Sequence, residues 1–533
     1  MRFPLLVAMV GWIFSAVYTA EGLLSRNYNQ DEFQVATAYL KDHDPALFPK
    51  DFIWSQPEMI RNLHLCLRVL MRMTDALTFG LFSEPIDLFL LWLPICVFSF
   101  FGGIYLLCLR FSGDQLASLL VACSFMLVRR VIWDWWGVGP VFDTVSARGV
   151  VLSFLPLALW AYFLCEEHPG WLACCFLGWG FISNLHPLSG WGFVELLGIT
   201  ILIVERFSLR SWMQVVIMTA TTILGSLPFL MIWSSVITVP LEMQAPAIVI
   251  KEFWDGFMGL EIPPAKFIHQ FLEDLAIPLL LSVTGLVFWH RLGPTSKSHG
   301  LRLLYFFPCV VVGMTLTVML VGYLLKTHGI SLPVMVPEHS RNLKFVYLTL
   351  PVWMAVALTH WFRLWKLASW WVRYGVPMVL LIASMAINFP GHKLARSLLL
   401  KAGWLSSSLK EEELEREREN FADLEVARWA RKNTAGDALF YFDSYEFRYY
   451  ARRSLVFCLF DRPCVGFRPT HDLEEWIRRK DRLIPIKKVR DSEAALMAAR
   501  MYKADFAVIP KDWKSLRQKP VWSNWKYSVY QVK

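Results

Sequence analysis

Long apolar runs separated by short polar turns organise most of the first 390 residues of this chain. The first runs from just after Arg2 to Ala20. Others follow at Ile86–Leu109, Leu116–Val128, Gly149–Cys165, Trp171–Leu185, Leu188–Val204, Val215–Val236, Leu275–Trp289, Leu303–Leu325, Leu343–Leu358 and Val376–Asn388. Together they predict about eleven membrane spans, each near the length needed for a hydrocarbon core of roughly 30 Å. The first run could pass for a signal peptide, but Tyr18 is bulky where cleavage after Ala20 wants a small residue. It reads as an uncleaved first helix.

Between the first two runs lies a polar loop, residues 25–85, with two informative pieces. The stretch Arg26 to Ile53 opens on two adjacent carboxylates, Asp31 and Glu32. A helical pattern over Phe33–Leu40 follows, then the turn-rich Asp42-His43-Asp44-Pro45 and Phe48-Pro49-Lys50-Asp51. Further on, Arg61, His64, Arg68, Arg72 and Asp75 recur every three or four residues among apolar ones. Such a polar stripe predicts a helix lying flat at the bilayer interface, the alternative being a short tilted span with one wet face.

The pattern changes again near Pro390. Glu411–Arg418 is a charged helical start whose acids and bases pair as a solvated face. Helices are then predicted at Phe421–Lys432, Glu446–Ala451, His471–Lys480 and Ser492–Tyr502. Strands are predicted at Ala438–Phe442, Ser454–Phe460, Phe506–Pro510 and Tyr527–Val532. Alternation of this kind predicts a small α/β domain over 390–533, joined to a transmembrane domain over 1–389.

Composition agrees with the membrane reading. The chain is 56% hydrophobic and only 18% charged, and 25 of its 533 residues are Trp, a residue of membrane interfaces. Its net charge of +9 fits basic cytoplasmic turns or contact with anionic lipid phosphate. No basic, aromatic-interleaved module suggests nucleic acid. Most of the ten cysteines lie in apolar runs. Cys458 and Cys464 share the tail, where an oxidising compartment would permit a disulfide. No C-x-x-C pair suggests a zinc site.

Charge also orients the chain. With the amino end in the cytoplasm, Arg110, Arg206, Arg210, Arg291, Lys297, Arg302, Arg363, Lys366 and Arg373 fall in cytoplasmic turns, as the positive-inside rule expects. An odd number of spans then places the tail outside. On that side several polar clusters converge: Asp31 and Glu32; Asp134, Asp143, Ser146 and Arg148 with Trp133, Trp135 and Trp136; Asn184, His186, Pro187 and Ser189; and Glu338, His339, Arg341 and Lys344. Trp135 and Trp136 by themselves read as an aromatic belt.

An acid pair just after the first span, a long first outer loop with an interfacial helix and an outer carboxyl-terminal domain resemble the GT-C membrane glycosyltransferases. A narrower resemblance is to uncharacterised bacterial GT-C-like proteins with a DPxLFPxD-like loop, here Asp44-Pro45-Ala46-Leu47-Phe48-Pro49-Lys50-Asp51. The matching features include His186-Pro187 inside a helical pair, Arg341 opening a late span, and Arg452-Arg453-Ser454 in the tail.

The resemblance implies an enzyme of the bacterial inner membrane. It would transfer a sugar from a polyprenyl-phosphate-linked donor to an acceptor on the extracytoplasmic face. Such chemistry needs a base for the acceptor hydroxyl and cations for the departing phosphate. The expected base is Asp31, with Glu32 as its substitute or orienting partner. Arg148 and Arg341 are expected to hold phosphate through their guanidinium forks, with His186 and His339 as further substrate contacts. No cofactor is required; a divalent cation could bridge acid and phosphate, but no ligand spacing demands one. A secondary transporter is the rival reading, with Glu195 the main acid inside a span, yet no internal repeat supports it. A GT-C relative without activity, acting as a membrane scaffold or partner subunit, is the third.

Overall fold

A computed structural model describes residues 2–25, 28, 30–56, 60, 65–82, 84–127, 146–237, 243–258, 287, 299–327, 341–365, 371–375, 421–466, 470–514 and 516–532. Among them, six helical segments are long and apolar enough to cross a membrane: Phe3–Ala20, Pro85–Ser112, Ala147–Cys165, Pro187–Val204, His299–Val318 and Lys344–Leu364. Gln115–Met126 and Pro169–Ser183 are shorter apolar helices. The chain is an integral membrane protein. The expected count of about eleven is not reached among the described residues, and the runs at Leu275–Trp289 and Val376–Asn388 lie outside them. The run expected at Val215–Val236 is two helices, Leu209–Gly225 and Leu227–Ile237. Pro228 at the start of the second brings no backbone N–H to continue the first.

The chain divides into two compact units, one formed by Met1–Asn27, Phe89–Leu230 and Leu260–Lys401, the other by Tyr28–Leu88, Met231–Gly259 and Ala402–Lys533. The polar loop that sequence assigns to the amino-terminal domain thus contributes to the same unit as the tail.

The first unit is helical, and its core draws Leu155, Leu159, Phe176, Phe193, Phe307, Phe345 and Trp353 from six segments. Lipid offers apolar side chains as good a home as protein does, so close backbone approach must supply much of the specificity here. Pro169–Ser183 and Leu209–Gly225 achieve it with glycine. A Cβ on Gly180 would fall 2.4 Å from the Thr222 carbonyl oxygen, and one on Gly225 would fall 2.3 Å from that of Leu177. Asn184 fastens the break after Gly225: its Nδ2 donates to the Gly225 carbonyl (2.8 Å), and its Oδ1 accepts from the Phe229 N–H (2.8 Å).

The second unit contains a mixed five-stranded sheet of β1 (Leu439–Tyr441), β2 (Ser454–Leu455), β3 (Phe506–Pro510), β4 (Trp522–Ser523) and β5 (Tyr527–Gln531), ordered β2-β1-β3-β5-β4. The pairs β1–β2 and β1–β3 are parallel; β3–β5 and β4–β5 are antiparallel. Alternation gives the sheet two apolar faces. Leu439, Ala507 and Ile509 pack with Leu473, Trp476, Ala495 and Ala499 of helices His471–Val489 and Ser492–Met501. On the other face, Phe440, Phe442, Val508 and Val529 meet Ala422, Val426 and Ala430 of a helix over 421–433. Cys458 and Cys464 are free, buried thiols rather than a disulfide.

Glu446, on the short helix Tyr445–Ala451, is pushed up to about 7 by burial and, secondarily, by the charge of Asp423. A carboxyl held above its unfolded value of about 4.3 contributes stability below that pH and loses it as pH rises through about 7. Glu446→Gln is therefore expected to leave the thermal midpoint almost unchanged at about pH 4 and to raise it by a few degrees at about pH 8. Scanning fluorimetry of the purified chain at both pH values checks this.

Candidate functional site

Helix Gln30–His43 carries Asp31 and Glu32 in its first turn, where acids complement the positive end of the helix dipole. Position along the turn separates them. Asp31 is half-buried, whereas Glu32 is buried with only 1% of its surface exposed. Next along the helix is Phe33, ringed by Tyr28, Tyr445, Tyr449 and Tyr450 at centroid distances of 5.5–6.0 Å. Two of these tyrosines engage further acids. Tyr28 donates to Asp87, and Tyr449 donates to Glu84 (3.0 Å) while accepting from the Ile86 N–H (3.2 Å). Burial first, and then the neighbouring carboxylates (Asp87 and Glu32 at Tyr28, Glu84 at Tyr449), push both phenols well above their ordinary range. Both keep their phenolic protons and donate them to these carboxylates. Of the pair, Asp31 is the one a solute can reach; Glu32 belongs to the packed floor beneath it.

The loop that follows is fixed by one buried network. Arg448 donates to Asp51 (Nε–Oδ2 2.7 Å, Nη2–Oδ1 3.3 Å) and to Asp461 (Nη1–Oδ1 2.7 Å, Nη2–Oδ2 2.6 Å). Asp51 also accepts from the backbone N–H groups of Ile53, Trp54 and Leu455 at 3.1, 3.1 and 2.8 Å, and Trp54 Nε1 donates to Asp461 at 3.0 Å. Burial works against the guanidinium, but the two aspartates outweigh it and hold Arg448 charged. Asp44 and Asp51 shape the loop: Asp44 caps a turn by accepting from the Ala46 N–H (3.0 Å).

The expected interfacial stripe is arranged differently from its sequence pattern. On helix Leu65–Leu77, Arg68 is buried and donates to both oxygens of Asp42 (2.9 and 2.8 Å), with Arg72 on the same acid at 2.9 Å. Asp75 accepts from Tyr39 at 2.7 Å. Arg68 thus faces helix Gln30–His43 rather than the outside, whereas Arg72 reaches Asp42 from the surface, its side chain 52% exposed. Arg61 and His64 lie outside the described residues.

The remaining candidates belong to the first unit. Arg148 sits in the first turn of helix Ala147–Cys165 behind the Ser146 cap, half-buried, with an Nε that finds no hydrogen-bond partner among the described residues. His186 caps helix Pro187–Val204, its Nδ1 accepting from the Ser189 N–H at 3.2 Å. Ser189 in turn accepts from Lys344 Nζ at 2.6 Å. Lys344 is only 4% exposed and stands 5.2 Å from the Phe345 ring. Arg341 opens the same short 3-10 segment, Arg341–Leu348. Gly192 admits that segment: a Cβ there would meet Asn342 Oδ1 at 3.0 Å. The two sequence clusters around His186 and Arg341 are thus brought together, through Ser189 and Lys344. Asn184 serves the helix break instead, and His339, Glu338, Asp134, Asp143 and Trp133–Trp136 lie outside the described residues. No group of three or more His, Cys, Asp or Glu side chains suited to a metal ion occurs among the described residues.

Sequence reasoning placed Lys344 in a rim cluster but not as a buried cation; a Lys at the second position of the apolar run Leu343–Leu358 was the available signal. It gave no sign that Glu84 and Asp87 would be engaged by Tyr449 and Tyr28.

No family model matches the sequence, and no curated protein matches it. Among solved structures, the chain is similar to the archaeal oligosaccharyltransferase AglB from Archaeoglobus fulgidus in complex with an inhibitory peptide and a dolichol-phosphate. That match has a TM-score of 0.48 and 10% identity, covering 96% of this chain and 70% of that one. A crystal structure of the Archaeoglobus fulgidus oligosaccharyltransferase with Zn and sulfate gives a TM-score of 0.40 and 11% identity, covering 95% and 68%.

Proposed function

We propose that the chain is a GT-C-like membrane glycosyltransferase that takes a sugar from a polyprenyl-phosphate donor and passes it to an acceptor on the extracytoplasmic face. The observation that carries this reading is Lys344: an ammonium buried in a membrane-spanning unit, held by Ser189 next to the His186 cap. Ionisable groups in membrane-spanning segments are costly to keep, and they mark substrate and ion pathways. Lys344 opens the candidate span Lys344–Leu364, and lipid phosphate is an anion that an integral membrane protein meets at the end of a span.

The roles follow from chemistry. Lys344 and Arg148 bind the phosphate and stabilise its charge as it departs, with Arg341 and His339 as further contacts. His186 orients Ser189 and the first turn of its helix. Asp31, reachable in the helical turn, accepts the proton of the acceptor hydroxyl as that oxygen attacks the sugar. Glu32 holds the turn in place.

The purified chain in vesicles should transfer labelled sugar from a polyprenyl-phosphate donor to an acceptor fraction; donor exchange across the vesicle without transfer would favour a transporter. Lys344→Met keeps the side chain's length and removes its charge. It is expected to weaken polyprenyl-phosphate binding by roughly 10–150-fold, the equivalent of about 1.5–3 kcal/mol for one hydrogen bond to a charged group. Titration of the lipid by native mass spectrometry checks this; unchanged affinity would remove Lys344 from the phosphate site.

A further inference from the structure

Residues 478–533 carry 15 Lys and Arg against 5 Asp and Glu, an excess that accounts for the chain's entire net charge of +9. The topology of the sheet decides where those cations can act together. The chain leaves β1 through helix Tyr445–Ala451, which packs on the face of Phe440 and Phe442, and returns as β2 on one side of β1. It then crosses the other face through helices His471–Val489 and Ser492–Met501 and enters β3 on the opposite side of β1. From β3 it continues away from β1, into β4 and β5. The exits from β1 and β3 therefore part. The place they leave between them, outside the two carboxyl ends, is where open α/β sheets take their ligands.

Cations from three segments gather at this end of the sheet. Lys487, in the last turn of helix His471–Val489, reaches Asp443, two residues past β1, at 3.0 Å. Arg490, which caps that helix, reaches Asp512, two residues past β3, at 3.0 Å, and its carbonyl accepts from the Lys514 N–H at 3.5 Å. Lys511 directly follows β3, and its N–H donates to the Lys526 carbonyl at 2.8 Å. Burial pushes Asp423 up; hydrogen bonds from Tyr527 and Ser444, and then the charges of Lys526 and Lys487, oppose that shift, so both lysines stand near one acid. Asp443 and Asp512 are matched by Lys487 and Arg490, whereas Lys511 and Lys514 are exposed and make no ion pair among the described residues. The amino ends of the same strands differ: Asp437 and Asp505 stand there, bridged by Lys50. Cations crowded together repel one another, and an anion with more than one charge relieves this best. We propose that the carboxyl ends of β1 and β3 bind a phosphate monoester, its phosphate held by Lys511 and Lys514 with Lys487, Arg490 and Lys526 around it. The site uses none of the residues assigned to sugar transfer and does not rest on that reading.

Lysine footprinting tests it. The full-length chain in phosphatidylcholine nanodiscs is acetylated briefly with inorganic phosphate present, or with chloride at equal ionic strength, and each lysine is read by mass spectrometry. A third sample replaces part of the lipid with phosphatidic acid, which presents the same phosphate monoester as a headgroup. Inorganic phosphate is expected to slow labelling of Lys511 and Lys514 several-fold relative to chloride and to leave Lys503, exposed near the amino end of β3, unchanged. Protection by phosphatidic acid alone would keep the site and assign its phosphate to a lipid headgroup. Lys487→Gln combined with Arg490→Gln is expected to remove the protection; it breaks two ion pairs of exposed cations, which add little to stability, so the fold persists. Absence of protection from either source, equal slowing at Lys503, or protection that survives the double substitution would overturn the proposal.

Discussion

Arg448→Met is expected to destabilise the unit containing the tail by about 3–5 kcal/mol, the penalty for removing one member of a buried ion pair. The size of the effect comes from what remains. Without the guanidinium, Asp51 and Asp461 stay buried at 1 and 2% exposure, and Asp461 keeps only Trp54 Nε1 among its hydrogen bonds described above. Asp51 fares better, since it still accepts from three backbone N–H groups. Asp461→Asn in the Arg448→Met background is therefore expected to recover more stability than Asp51→Asn does. Limited proteolysis with urea, read at the tail and at the 44–56 loop, distinguishes these outcomes. If Arg448→Met resists urea as the parent does, the network is not what joins the loop to the sheet.

The second large effect falls on activity. Asp31→Asn keeps the shape of a half-buried side chain and removes its ability to accept a proton. A loss of about 10²–10⁴-fold in sugar transfer is expected, the usual contribution of a positioned general base, with little change in thermal midpoint. Glu32→Gln should do the reverse. Its carboxylate is buried below Tyr28 and beside Phe33, so the amide is expected to disturb packing and lower the thermal midpoint, while transfer by the folded fraction persists. The contrast matters because two adjacent acids invite the assumption that they are interchangeable. Their different exposure argues that they are not.

Local periodicity made much of the fold legible. The span expected at Leu188–Val204 is helix Pro187–Val204, the strand expected at Phe506–Pro510 has those bounds, and the helix expected at Ser492–Tyr502 ends one residue earlier. Each is declared by neighbours two to four residues apart. The two-residue strand Trp522–Ser523 is too short to show alternation. What could not be read is what depends on distant pairing. Asp51 and Arg448 are 397 positions apart, and nothing around either predicts the other. The inward turn of Arg68 is of the same kind, since its helical spacing fits either face until Asp42 is placed. Among the candidate residues, the sequence singled out Asp31, His186 and Arg148 by residue type and position beside a span. It could not rank Asp31 against Glu32, because burial is a property of the packed chain.

Transfer and donor binding measured on the same reconstituted samples, parent beside Asp31→Asn, bear most directly on whether this carboxylate is the proton acceptor of a lipid-linked sugar transferase. The account predicts polyprenyl-phosphate-sugar bound with nearly parental affinity and turnover reduced by at least about 100-fold. Turnover at the parental rate with the aspartate gone would contradict it.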